Sequence, residues 1–316
     1  VLYQPDLSII IVNYNGAQLL EGCLASITET ACSLSHEVWV VDNGSTDDSV
    51  HMVRTRFPSV HVIESAENLG FAGGNNLALA SAAGRYRLLL NNDTVVRPGA
   101  LQLLVQAMAR HPELGVLGPR LLNVDDSTQL SAMHYPSLTR APRNWVKARV
   151  GKSGKYQPRS EQDVAYVDAV TGACLLIRAE ALYQVGLLDT GYFMYAEEMD
   201  WCYRAAQVGW RIGYLAAAQV VHYGGQTARR EAERFYVERR YSRVRFYAKH
   251  HGRLAAHVDD TFIRINLGIH WLLQPNERSH YRALLDAYSR RVAPLFTQGT
   301  TLAEDDGGHS WRASST

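Results

Sequence analysis

At 316 residues, 47% of them apolar and 20% charged, the chain is long and apolar enough to bury a substantial core, which excludes disorder as its main state. Its 32 basic residues stand against 31 acidic ones, so a net charge of +1 offers no global field to nucleic acid or to an anionic membrane. Any such contact must come from a local patch, and nucleic acid is not an expected partner. The four cysteines, Cys23, Cys32, Cys174 and Cys202, form neither a C-x-x-C pair nor a zinc-ligand spacing. No apolar run approaches the roughly eighteen residues of a membrane span, and the N-terminus lacks a secretory pattern, so a cytoplasmic protein in a reducing compartment is expected.

Leu7 to Asn13 (LSIIIVN) is a short, β-branched, almost wholly apolar run, the pattern of a strand buried on both faces. Glu37 to Asp42 and Tyr86 to Asn91 repeat it. Between them lie helix-compatible segments over Gly16 to Thr30, Thr46 to Phe57 and Gly73 to Ala83. This alternation predicts an α/β fold with a mostly parallel sheet, which binds ligands beyond the carboxyl ends of its strands. Asn13-Tyr-Asn15, Asp42-Asn43-Gly44 and Asn91-Asn92-Asp93 fall at those ends. From Asn123 to Asp163 the pattern dissolves into Pro, Ser, Arg and Gly. A strand-like run then passes through Gly172 to Ile177, followed by a helix from about Glu198 to Gly209 and an apolar stretch from Trp210 to Tyr223. Gln226 to His257 reads as one long helix, Thr261 to Pro294 as further helices, and Thr301 to Thr316 as a polar tail.

Several clusters have chemistry to offer. Asp93 at a strand end can hold a hard divalent cation or close an Asx-turn. Asp42 can accept hydrogen bonds from a nucleoside or stabilise its own turn, whereas Ser45 with Asp48 fits the S-x-x-D capping pattern. Asn68-Leu-Gly70-Phe-Ala-Gly73-Gly74-Asn75 has the glycines of a loop that approaches a phosphate or sugar, but neither dinucleotide nor P-loop spacing. In Glu197-Glu198-Met-Asp200-Trp201-Cys-Tyr-Arg204, Asp200 and Arg204 are spaced as a helix pair, while the adjacent Glu197 and Glu198 raise each other's pKa and can prepare a proton acceptor. His222 ends an apolar run, as a hydrogen-bonded residue or, beside Asp93, a metal ligand. Gln226 to Ala256 carries nine Arg or Lys against three Glu, a local net of +6 that suits either Arg stems over aromatic surface or peripheral contact with anionic lipid.

In this order, SIIIVNYNG, VVDNGSTDDS, NLGFAGGNN, LLLNNDTVV, VTGACLLIRAEAL, YFMYAEEMDWCYRAAQVGW and VVHYGG resemble family 2 glycosyltransferases, and among them the bacterial rhamnosyltransferase-like members. The resemblance implies a GT-A fold, a Rossmann-like αβα sandwich. Its glycosyltransferase domain would span 1–225, with a nucleotide-binding part to about 120 and an acceptor-binding part after it, then a helical C-terminal extension over 226–300. It implies inverting transfer from a nucleotide diphosphate sugar, such as dTDP-L-rhamnose, to a glycan or lipid-linked acceptor, aided by Mn2+ or Mg2+. By the same resemblance Glu198 is the catalytic base, Asp93 the last position of the D-x-D motif and His222 a second metal ligand. Asp42 would contact the nucleoside, Asn13, Asn15, Asn68, Gly70, Gly73, Asn75 and Asn92 would line the donor, and Gly172 with Ala173 would lie near the sugar. Glu197, Asp200 and Trp201 would meet the acceptor or support the base. The first acid of D-x-D is Asn91 here, which brings no charge. The alternatives from the sequence are a sugar-nucleotide pyrophosphorylase and a non-catalytic nucleotide-sugar binding module.

Overall fold

The computed structural model describes residues 4–31, 33–137, 155–158, 163–224 and 232–297. The chain opens as β1 (Leu7–Asn13), α1 (Ala17–Thr30), β2 (His36–Asp42), α2 (Ser49–Arg56), β3 (His61–Glu64), α3 (Gly70–Leu79) and β4 (Tyr86–Asn91). It continues through β5 (Thr94–Val96), α4 (Ala100–Arg110), β6 (Leu114–Leu122), the two-residue strands β7 (Thr128–Gln129) to β11 (Ala169–Val170), and β12 (Cys174–Arg178). Then follow α5 (Ala179–Val185), α6 (Glu197–Gln207) and β13 (Arg211–His222). The main sheet runs β10 (Ala165–Tyr166), β13, β6, β12, β4, β1, β2, β3. β1 pairs in parallel with β2 and β4, β2 with β3, and β6 with β13, while β12 runs antiparallel to both of its neighbours. The expected mostly parallel α/β sandwich is observed.

Alternation along β1 explains the layering. Leu7, Ile9 and Ile11 pack on one face against Leu20, Leu24 and Ile27 of α1 and Leu101 and Leu104 of α4. Ile10 faces the other side, with Ala78 and Leu79 of α3 and Trp201 of α6. Each such aliphatic side chain contributes about 1.5–3 kcal/mol by leaving water, and in β1 both faces do so. Because β12 is reversed, its start at Cys174 pairs with Leu90 near the end of β4, which puts Gly172 and Ala173 at the same sheet edge as Asn13, Asp42, Asn91 and His222.

Three boundaries differ from the sequence reading. α3 begins at Gly70, so the glycine-rich segment is mostly helix rather than the loop before one. The long basic helix is α7 (Ala232–His250); it stops before Gly252, whose φ of +85° breaks the helical path, and α8 (Arg253–Leu273) and α9 (Arg278–Thr297) follow. These three helices share a core of their own around Val244, Leu267, Leu284 and Tyr288. Ser45 does not cap α2; its Oγ accepts from the Asn15 N–H, and Asp47 takes the Ser49 N–H instead. The tail over 301–316 and part of the Asn123 to Asp163 stretch lie outside the described residues. Among the described residues no helix is long and apolar enough to cross a membrane.

Candidate active site

Polar side chains at the ends of β1, β2 and β4 form a lattice of amides. Asn13 is fully buried; its Nδ2 donates to Ser49 Oγ at 2.9 Å and its Oδ1 accepts from Asn92 Nδ2 at 2.7 Å. Asn15, at φ +50°, accepts the Thr46 N–H on Oδ1. Asn43 donates to Asn68 Oδ1 and to the Gly70 carbonyl, both at 3.0 Å, and accepts from the Leu69 N–H. Gly70 is needed at φ +72° because a Cβ there would lie 2.1 Å from the Phe193 carbonyl oxygen. Gly73 abuts Leu69, and Asn75 is buried with its amide on the Phe71 carbonyl four residues back. Within this lattice one atom stands out. Asp42 is 5% exposed, its Oδ2 accepts from the Ser45 N–H, and its Oδ1 is buried without a partner.

A second group gathers at the ends of β4 and β13. His222 Nε2 lies 3.3 Å from Asp93 Oδ1 and 3.3 Å from Asn91 Nδ2. Gln129 fixes the ring's tautomer. Its Nε2 donates to the carbonyl oxygen of His222 and to Asn123 Oδ1, so its Oε1 is the atom 2.6 Å from His222 Nδ1, and Nδ1 must carry the proton. The Nε2 lone pair therefore accepts from the Asn91 amide N–H and lies beside a carboxylate oxygen, an arrangement in which a cation could take the place of the amide hydrogen. Among the described residues no three His, Cys, Asp or Glu side chains gather as a metal site, since Asn91 occupies the third position with an amide. A carboxylate and an imidazole with a hydrogen-bonded outer nitrogen still suit Mn2+ or Mg2+, with further oxygens from a ligand, and Asn91 could join them only through its amide oxygen.

The third group lies at the start of α6. Tyr195 and Ala196 both adopt left-handed backbone, φ +71° and +69°, a strained pair immediately before Glu197 and Glu198. Gly172 N–H donates to Glu198 Oε1 at 3.4 Å, and a Cβ on Gly172 would lie 3.2 Å from the Phe71 ring and 3.6 Å from Glu198 Cβ. Oε2 of Glu198 and Oε2 of Glu197 are buried without partners. Burial pushes the Glu198 carboxyl up, opposed by backbone N–H groups and the ammonium of Lys155 on β9 (Lys155–Tyr156). Glu197 is raised well above the ordinary range, by burial first and then by its neighbour's charge. Lys155 is itself lowered by burial, with Glu198 acting against that shift.

The groups share one edge. Asn91 N–H donates to the Ala173 carbonyl, Gly172 precedes Ala173 and touches Glu198, and Tyr223 N–H donates to the Asp93 carbonyl. Asp200 and Trp201 point elsewhere. Burial alone would raise the Asp200 carboxyl, but His250, Arg204 and Lys249 hold it well below the usual range, and Trp201 Nε1 donates to the Gly186 carbonyl. The basic residues of α7 are similarly engaged within the protein: Arg245 and Lys249 pair with buried Asp189, Arg243 with Asp259, and Arg234 and Arg239 lie over Phe193 and Tyr195. Of the two readings of its charge, these contacts match Arg stems over aromatic surface. Sequence reasoning missed Asn43, Gln129 and Lys155. Asn43 was readable only as a turn residue, and the other two sit where no periodic pattern marks a position.

The chain is 31% identical to an N-acetylglucosaminyl-diphospho-decaprenol L-rhamnosyltransferase of Mycobacterium tuberculosis over 247 residues, 71% of this chain and 78% of the relative. It is 28% identical to the low-salt glycan biosynthesis hexosyltransferase Agl10 of Haloferax volcanii, covering 69% of this chain and 67% of that one. Among solved structures it superposes with a TM-score of 0.55 on a mannosyltransferase of Pyrobaculum calidifontis in complex with GDP-Man and Mn2+, at 18% identity and over 92% and 88% of the two chains. With GalNAc-T7 bound to UDP, GalNAc and Mn2+ the TM-score is 0.58 at 14% identity, over 79% of this chain and 48% of that one. These likenesses establish the GT-A fold expected from the sequence. The family model described as Glycosyl transferase family 2 matches residues 8–185, and the chain therefore belongs to that family of glycosyltransferases rather than to the pyrophosphorylases or binding modules.

Proposed function

We propose that this glycosyltransferase moves a deoxyhexose, L-rhamnose from a deoxythymidine diphosphate carrier, onto a hydroxyl of a lipid-linked amino sugar, with inversion at the anomeric carbon. The observation that carries the reading is Glu198. One carboxylate oxygen is held by the Gly172 N–H, while the other is shielded and has no partner. That second oxygen accepts the proton of the acceptor hydroxyl as the hydroxyl oxygen attacks the anomeric carbon opposite the diphosphate. A single displacement of this kind inverts the configuration. Lys155 favours the ionised form of Glu198, and burial of Glu197 beside it favours that group's neutral form, which limits repulsion across the pair.

At the other end of the cleft, the unpartnered Asp42 Oδ1 is suited to a nucleoside hydroxyl or N–H. Asp93 and His222 would hold a divalent cation. When bound, such a cation supplies charge stabilisation to a leaving diphosphate. The sugar and acceptor named here follow the 31% identical relative, whose name specifies both.

Transfer assays with a panel of nucleotide sugars and a prenyl-diphospho-N-acetylglucosamine acceptor, each with and without Mn2+, test the reading. The expected result is consumption of dTDP-L-rhamnose in preference to UDP- and GDP-sugars, with metal dependence and an inverted product linkage by NMR. Retention of configuration would refute Glu198 as the base of a single displacement, and preference for another donor would refute the sugar.

A further inference from the structure

The face of α8 opposite its core carries no charge along its whole length. Leu254, Val258, Phe262, Ile265, Ile269 and Leu272 follow one another at spacings of four and three, with Thr261 and Gly268 between them. At about 100° per residue they form one stripe, while Ile263 and Leu267 turn into the helical core. The stripe is open to solvent: Leu254 is 79% exposed, Ile265 50% and Leu272 61%, and Leu273 at the helix end is 72% exposed. A helix apolar on both sides needs a second apolar environment, and a contiguous exposed patch of this kind marks an interaction surface.

We propose that this stripe docks the protein on a lipid bilayer, with α8 lying in the plane of the headgroups. Three observations choose this occupant. The stripe is about 30 Å long and about 10 Å wide, hence about 300 Å2, well below the roughly 800 Å2 per partner of a stable dimer but enough for an interfacial helix. Its flank carries an interfacial pair at the C-terminal end. The guanidinium of Arg278 lies 4.7 Å from the half-exposed Trp271 ring. An aromatic ring with a cation above it suits the headgroup layer, where the ring stays shallow and the charge meets lipid phosphate. The chain's own C-terminal segment is a poor cover, because residues 298–316 offer only Leu302 and Trp311 as large apolar side chains beside Glu304, Asp305 and Asp306. The docking helix is thus α8 and not the basic α7 before it.

The inference concerns a surface apart from the cleft, and rests on the proposed lipid-linked acceptor only for its second readout. The test is flotation of the full chain with vesicles of phosphatidylcholine and phosphatidylglycerol in equal parts, for wild type, I265D/L272D, and A283D on the exposed side of α9. Wild type and A283D are expected to float, and I265D/L272D to lose vesicle binding by more than about tenfold while keeping the wild-type melting curve. In the second readout, I265D/L272D is expected to transfer normally to a water-soluble acceptor and several-fold more slowly to a prenyl-linked acceptor in vesicles. Equal flotation of I265D/L272D and wild type would overturn the proposal, as would a wild type that fails to float. A wild-type dimer that these substitutions dissociate, without vesicle binding, would assign the stripe to a second copy instead. Flotation lost in I265D/L272D from a protein that transfers no sugar would leave the docking intact and refute only the function.

Discussion

The two ends of the polar sheet edge handle side chains in opposite ways. On the proposed nucleotide side, Asn13, Asn15, Asn43, Asn68 and Asn92 bond one another or nearby side chains and backbone, so they tie strand ends together. On the proposed catalytic side, Glu197 and Glu198 keep buried oxygens without partners and sit behind two consecutive left-handed residues. Asp42 is the exception within the lattice, with one oxygen engaged and one orphaned. A saturated network rigidifies, whereas an orphaned buried acceptor is a destabilising feature that a bound substrate can relieve. The comparison therefore separates residues that build this edge from residues with an acceptor still open to a ligand.

The largest effect is expected at the orphaned end. Glu198→Gln removes the proposed proton acceptor but keeps the shape and the Gly172 contact, so turnover should fall by about a thousandfold or more while donor affinity stays within about twofold. Calorimetry with a dTDP-sugar beside a transfer assay measures both; substantial turnover in this variant would move the acting base elsewhere. Gln129→Leu comes next. The ring of His222 loses the partner that holds its proton on Nδ1, and cation affinity at Asp93 and His222 should drop by about 10- to 100-fold, read as the Mn2+ concentration for half-maximal nucleotide binding. An unchanged Mn2+ requirement would show that His222 is not a ligand.

How much of this was readable in advance follows from the origin of each feature. β1, β2 and β4 are legible because strands buried on two faces need unbroken apolar runs, and their polar C-terminal ends follow directly. β6 went unassigned because Gly118 and Pro119 interrupt it. Yet Gly118 is there because a Cβ would lie 2.8 Å from Val170, and Pro119 borders a register shift where β13 skips from Leu215 to Gln219. The break between α7 and α8 was legible in principle at Gly252, but the helical apolar pattern runs on across it. At the site, Asp42, Asp93, Glu198 and His222 stand at ends of elements, so position alone nominates them. Gln129 touches His222 from 93 residues away, a contact that no local pattern encodes. Of the charge behind the +6 balance of residues 226–256, Arg243, Arg245 and Lys249 answer Asp189, Asp200 and Asp259 inside the fold, which no sequence pattern announces.

Neighbouring residues at the end of β2 sharpen the comparison further. Asn43→Ala deletes three bonds of the lattice and should lower stability by about 2 kcal/mol in urea unfolding, with donor affinity of the folded protein changed little. Asp42→Asn should do the reverse, weakening nucleotide binding by about tenfold with an unchanged unfolding midpoint. If Asn43→Ala spares stability and abolishes nucleotide binding, the lattice is part of the binding surface and the division between builders and actors fails.

The smallest effect is a displacement of a pH profile. Glu198 must be ionised to accept a proton, and burial raises its pKa while Lys155 lowers it. Removing the ammonium in Lys155→Met takes away one of the influences that lower this pKa, so the acid limb of kcat should move to higher pH. At pH values well above the limb the variant should approach wild-type turnover, because Glu198 is then ionised in both. Lys155→Arg keeps a cation and should restore most of the limb. A lower kcat at every pH, with the limb in its original place, would mean that Lys155 supports the packing of β9 against Thr171 and has no electrostatic hold on the base.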